Sequence, residues 1–163
     1  MLNQRTLSAD EEKEFDDMGS YNHSLVQANL AFLIRTHSNY SAFIELSLDT
    51  SKLDSQHFPA IRDELKPDVC VYPRRGVVIL DILVMQEMPI LAIEVISPRQ
   101  GALSIVEKFQ AYFALGIPSC WLVDPITAVV SIHHPGKAPK TFANGDVIDP
   151  VINLKLPLAE IFA

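Results

Sequence analysis

Long hydrophobic runs, cysteine and basic charge are all scarce in this sequence. No apolar run approaches the ~20 residues that a membrane-crossing helix needs; the best, residues 77–85, is interrupted by Asp81. The start, Met1-Leu2-Asn3-Gln4-Arg5, leads into acid-rich sequence without the apolar stretch of a secretory signal, so a cytoplasmic location is expected. Only Cys70 and Cys120 are present, both inside apolar runs, and they read as buried free thiols rather than a disulfide. Thirteen Lys and Arg stand against 20 Asp and Glu, a formal net charge of −7, which argues against non-specific coating of nucleic acid. It leaves room for a local basic rim. Repeats, low-complexity tracts and Gly/Ser linkers are also missing. With 163 residues, 48% of them hydrophobic, residues 1–163 suffice for one domain with a proper core. Residues 1–19 form an N-terminal arm and 126–163 a closing set of strands and a short helix.

The periodicities predict an α/β chain. A short helix is expected over 8–17, with Ser8 and Glu11 spaced as a capping box. A longer helix follows from about Ser20 to Thr36. It carries two apolar stripes, Leu25-Ala28-Phe32 and Val26-Leu30-Leu33, which imply burial over much of its girth. Residues 41–49 alternate as a strand, with Ala42, Ile44, Leu46 and Leu48 on one face and Glu45 on the other. Residues 52–66 read as an irregular connection and 67–72 as a strand stopped at Pro73. Residues 77–88 fit helix or strand equally well. Residues 91–96 form a buried strand and 101–115 a helix, with Gly116 placed to end it. Strands follow at 119–123 and 128–133, then turn signals at Pro135-Gly136 and Asn144-Gly145 that suggest a small hairpin, and a short final helix. Helices flanking a mixed sheet are the expected layering.

One residue does not belong in this pattern. Glu94 lies within Leu91-Ala92-Ile93-Glu94-Val95-Ile96, where an ionised carboxylate faces a heavy desolvation cost unless it is paired, opens onto a cleft or binds a metal. Asp68 starts the neighbouring apolar stretch. If the two strands pair, their carboxylates converge, and Lys108 lies on the helix downstream. Mg²⁺ prefers hard oxygen ligands and is typically held by one or two carboxylates plus substrate phosphate. A metal so placed activates water and polarises the phosphoryl group, and a lysine stabilises the anionic transition state.

Four blocks occur in order: Lys66-Pro67-Asp68-Val69, Glu94-Val95-Ile96-Ser97-Pro98, Glu107-Lys108 through Tyr112 to Gly116, and Trp121-Leu122-Val123-Asp124-Pro125. Together they resemble the PD-(D/E)xK restriction-endonuclease-like superfamily, and within it the Uma-two family of bacterial proteins described as endonucleases. The resemblance covers residues 20–125 well and the tail loosely. It implies a restriction-endonuclease-like core, a mixed β-sheet flanked by helices. Asp68 and Glu94 would be catalytic and would hold Mg²⁺, with Mn²⁺ as the alternative, together with the carbonyl of Val95. Ile96 stands where the superfamily has its lysine, and Lys108 would supply the ammonium from the following helix. Only the final position of that ammonium matters, and the lysine stem is long and flexible. His23 matches a position the family often fills with histidine; a polar residue of the helix's early turn is the plain alternative. Duplex DNA would be the substrate, and cutting both strands favours a homodimer.

Several residues carry two readings. Glu45 is either an auxiliary carboxylate or a cross-strand surface residue. Gln100 and Arg99, just past the Glu94 strand, and Arg74 and Arg75, just past the Asp68 strand, are candidates for phosphate contacts, and Arg74, Arg75, Arg99 and Lys108 together would form a basic rim; a solvated turn is the plain alternative for Arg74 and Arg75. His133-His134 has no third ligand at matching spacing and reads as a strand end. Asp124 reads as a turn former. The function expected is a Mg²⁺-dependent DNA endonuclease that hydrolyses phosphodiester bonds by metal-activated water. Its rivals are a non-catalytic binding module on the same fold and a hydrolase of small phosphoesters.

Overall fold

The computed structural model describes residues 19–61 and 64–163, so the helix expected over 8–17 lies outside the described residues. Helix α1 (Tyr21–His37) begins at Ser20, whose side chain accepts the His23 N–H and caps the first turn. It is followed by β1 (Tyr40–Ile44), β2 (Leu48–Asp49), β3 (Glu64–Leu65), β4 (Val69–Pro73) and β5 (Leu91–Val95). Then come α2 (Ala102–Ala114), β6 (Cys120–Asp124), β7 (Val129–His133), β8 (Lys140–Phe142), β9 (Asp146–Asp149), β10 (Leu154–Pro157) and α3 (Leu158–Ile161).

A six-stranded sheet runs in the order β1-β4-β5-β6-β7-β8. Only β5 and β6 are parallel, and helix α2 makes the crossover between them. Alternation along β5 divides the core. Leu91, Ile93 and Val95 pack with α1 residues Val26, Leu30, Leu33 and Ile34, and with the β9–β10 ribbon and α3. Ala92 packs on the opposite face with Ile105, Phe109 and Tyr112 of α2. Glu94 shares that second face by the two-residue period of a strand. Gly116, with φ of 91°, ends the α2 segment as its position after the periodic residues implies.

The structure departs from the sequence pattern in four places. Helix α1 buries one stripe only: Leu25, Ala28 and Phe32 are exposed, with Phe32 at 65%. The sheet and the C-terminal ribbon lie on one side of α1, and no described element covers the other. The strand expected over 41–49 breaks after Ile44, because Glu45 adopts φ of 53°, a left-handed conformation that reverses the alternation. Ile44 consequently lies half exposed. Residues 77–84 form neither helix nor strand; Met85 makes a single bridge to Leu48. Finally, Pro135-Gly136 does turn β7 into β8, but Asn144-Gly145 leads out of the main sheet into the separate β9–β10 ribbon. Cys70 and Cys120 are both buried and unpaired with one another.

Candidate active site

Strand register sets the site. Val69 pairs with Ile93 in the antiparallel β4–β5 ladder, so one step further Asp68 lies opposite Glu94 on the same sheet face. Asp68 is fixed from two sides: its Oδ2 accepts the Val95 N–H at 2.7 Å and its Oδ1 lies 3.1 Å from His23 Nε2 on the first turn of α1. The Asp68 carbonyl is held as well, accepting Gln27 Nε2 at 3.0 Å and the Glu45 N–H at 3.2 Å. That last bond explains why Glu45 turns in left-handed geometry beside the site.

Glu94 is 1% exposed. Its Oε1 lies 2.8 Å from Lys108 Nζ and accepts the Tyr112 hydroxyl at 2.6 Å. Both groups come from α2, four residues apart on one helix face, which packs directly over the Glu94 side of the sheet. Burial pushes the Glu94 carboxyl up to about 7; Lys108 opposes this, the neighbouring Asp68 adds to it, and the Lys108 and Tyr112 hydrogen bonds oppose it. The hydrogen bond to Asp68 raises His23 above its usual range against the effect of burial.

These two shifts give a testable pH dependence. The unfolded chain releases the Glu94 proton near 4.5 and the folded chain near 7, so folding is disfavoured progressively as pH rises across that window. His23 acts in the same direction at higher pH, since a raised imidazole stabilises below its unfolded value and ceases to do so as pH passes its folded value. Urea denaturation in EDTA should therefore show a loss on the order of 3 kcal/mol between about pH 4.5 and pH 7.5. Glu94→Gln should flatten most of it; an unchanged slope in that variant would remove Glu94 as its source.

The two carboxylates open onto a cleft of about 1190 Å³ between α2 and residues 57–61. Among the sequence-expected residues, His23, Glu45, Asp68, Glu94, Gln100 and Lys108 all line it. Arg99 is exposed on the turn after β5 but outside the lining set. Arg74 and Arg75 correct the expected basic rim. They follow the far end of β4: Arg74 Nη2 donates to the Arg35 and Ser38 carbonyls at the end of α1, and Arg75 pairs with Glu87 at 2.8 Å over the Tyr72 ring. A five-residue strand separates them from Asp68 by roughly 20 Å at ~3.3 Å per residue. Among the described residues the cleft carries five carboxylates, Glu45, Glu64, Asp68, Glu94 and Glu107, against Lys66 and Lys108. Such a field repels phosphate and attracts a divalent cation.

The donor set suits one class of ion. Among the described residues no group of three His, Cys, Asp or Glu side chains is arranged around a metal position. Zn²⁺ in a structural site would need four N or S ligands. Mg²⁺ needs one or two carboxylates and completes its shell with water and phosphate, which Asp68 and Glu94 can satisfy. The interactions with Lys108 and Tyr112 both fall on Glu94 Oε1, not Oε2. Val95 reaches Asp68 through its N–H.

In the sequence, Tyr112 stands out only as part of the block from Glu107-Lys108 to Gly116, and Gln27 not at all. Each follows a site residue by four positions, Lys108 and His23 respectively, and that spacing was the available signal. Asp124 caps its own turn by accepting the Ile126 N–H and the Thr127 hydroxyl. His134 pairs with buried Asp149, and His133 packs on Phe109.

The site thus consists of a carboxylate pair on adjacent antiparallel strands of a mixed sheet, with a helix-borne lysine beside it. The model of the Uma2 family, described as "Putative restriction endonuclease", matches residues 14–159, and the chain belongs to that family. A solved structure from Anabaena variabilis, titled as a "putative nuclease belonging to DUF820", superposes with a TM-score of 0.67 at 20% identity over 89% of this chain and 82% of that one. That likeness establishes the fold. No curated protein matches the sequence significantly.

Proposed function

We propose that this chain is a Mg²⁺-dependent DNA endonuclease, with Mn²⁺ as an alternative ion, and that Asp68, Glu94 and the Val95 carbonyl hold the metal. The observation that carries this reading is the buried Glu94, opposite Asp68 and paired with Lys108 at 2.8 Å. A metal bound there would lower the pKa of a water and offset charge on the phosphate. Lys108 supplies the positive charge nearest the reacting phosphate, and Tyr112 fixes the Glu94 carboxylate. His23 and Gln27 hold Asp68 in place, and Glu45 adds negative charge on the metal side. Gln100, which lines the cleft, and Arg99, exposed on the turn beside it, would contact the DNA backbone just beyond the Glu94 strand. The protein would act in the cytoplasm on duplex DNA, with two copies cutting the two strands.

Incubation with a labelled duplex should give cleavage with Mg²⁺ or Mn²⁺ and none after EDTA, with recovery when metal is returned. Cleavage that persists in EDTA would remove the metal from the mechanism. Binding should fall with salt at a slope of about −3 on logarithmic axes, for some three phosphates contacted through Lys66, Lys108 and Arg99. Lys66→Ala should lower that slope by about one, and Arg75→Ala should leave it unchanged. The acidic cleft favours the rival reading, a non-catalytic module. Under it neither salt-dependent binding nor cleavage would be found at low salt with metal present.

A further inference from the structure

The segment between β4 and β5 carries the largest exposed apolar run among the described residues. Val77, Val78, Ile79, Leu80, Ile82, Leu83 and Val84 are all solvent-facing, with Val77 at 104%, Ile79 at 102% and Leu83 at 85%. Among the described residues, no backbone group of residues 77–84 pairs with another backbone group, and the one local bond is the Ile82 N–H to the Asp81 carboxylate. The base of the segment is nevertheless fixed, by Arg75 paired with Glu87 and by Met85 bonded to Ser47 and bridged to Leu48. It is therefore a tethered apolar projection rather than a loose end.

We propose that this segment is the surface through which two copies of the chain associate, across a twofold axis at Leu80. Three features favour a second copy over other occupants. A closed twofold interface needs a patch that complements itself, and Val-Val-Ile-Leu-Asp-Ile-Leu-Val is apolar in both directions from its centre. Antiparallel apposition about Leu80 sets Val78 against Ile82 and Val77 against Leu83 of the copy. It places each Asp81 against Ile79, so the only charges do not face each other. The area also suffices. Burying seven such side chains removes on the order of 600 Å² per copy, most of the ~800 Å² that each partner gives a standard interface. A lipid surface fits poorly, because the flanking arginines that would meet its headgroups are engaged by Ser38 and Glu87.

The inference does not rest on the nuclease reading. Sedimentation velocity over a concentration series should show the wild-type chain reversibly dimeric at micromolar concentration. Ile79→Glu with Leu83→Glu should raise the dissociation constant at least about 100-fold, with a thermal melt matching wild type at dilutions where both chains are monomeric, since both side chains are exposed in the single chain. Leu80→Cys supplies a second readout: Cys70 and Cys120 are buried, so the new thiol is the accessible one. Mild oxidant should link it to its own copy. A wild-type chain that stays monomeric overturns the proposal and leaves the segment to another protein or a membrane. So does a double variant that dimerises as well as wild type, or a Leu80→Cys dimer that does not cross-link.

Discussion

Lys108→Ala should slow DNA cleavage by about 10²–10³-fold, the cost of deleting one preorganised charge at a reacting anion, while leaving the fold intact. The Lys108 side chain is 26% exposed, so its loss opens no cavity in the core. Glu94 loses its cation, but its carboxyl already stands at about 7 and can take up a proton instead of remaining as a buried charge. Two consequences separate this from a structural role. The residual activity should begin at higher pH than in wild type, because the ammonium is what holds Glu94 down. The melting temperature at acid pH should stay close to wild type. Rates across a pH series with parallel thermal melts measure both. An undiminished rate would take Lys108 out of the reaction and leave Arg99 and Gln100 as the remaining candidates.

The second large effect concerns stability, at a site remote from the cleft. Asp149 on β9 is fully buried and accepts the Ser119 hydroxyl, Trp121 Nε1 at 2.8 Å, the Val151 N–H at 3.1 Å, and a 3.1 Å contact from His134 Nε2. One carboxylate thus ties the start of β6, the end of β7 and the C-terminal ribbon. Asp149→Ala strands several buried donors at once, so a loss of about 3–5 kcal/mol is expected, or roughly 10 °C in melting temperature for a chain of this size. Metal-dependent cleavage below the melting point should persist, since Asp149 does not line the cleft. A loss under about 1 kcal/mol in urea denaturation would show that the ribbon is held by its apolar contacts alone.

Much of the site was legible because it violates local rules. A carboxylate amid Leu91-Ala92-Ile93 and Val95 has no place in a buried strand unless partnered, and the antiparallel register then puts Asp68 beside it. Lys108 could be named because the helix following Glu94 must pack back on that strand. Arg74 and Arg75 misled for a simple geometric reason: nearness in sequence to Asp68 becomes distance once an extended strand intervenes. Glu45 hid its break because a left-handed φ leaves no trace in the alternation of Ala42 and Ile44 with their neighbours. Leu25 and Phe32 suggested a helix buried on two sides, yet an apolar stripe shows only that burial is available, not that a partner exists. Residues 77–84 fitted helix and strand equally and formed neither, because no neighbouring strand offers their backbone a partner within the described chain. Asp149 gave no signal, lying in Asp146-Val147-Ile148-Asp149 as an ordinary strand-end acid, three of whose four partners, Ser119, Trp121 and His134, come from other segments.

Supercoiled plasmid incubated with the purified protein and Mg²⁺ or Mn²⁺, beside Asp68→Ala and an EDTA control, tests the central claim most directly. The expected result is conversion to nicked and linear forms by the wild type alone, and only with the metal present. An Asp68→Ala protein that cuts as fast as wild type, or a folded wild type that leaves the plasmid intact at low salt with either ion, would contradict it.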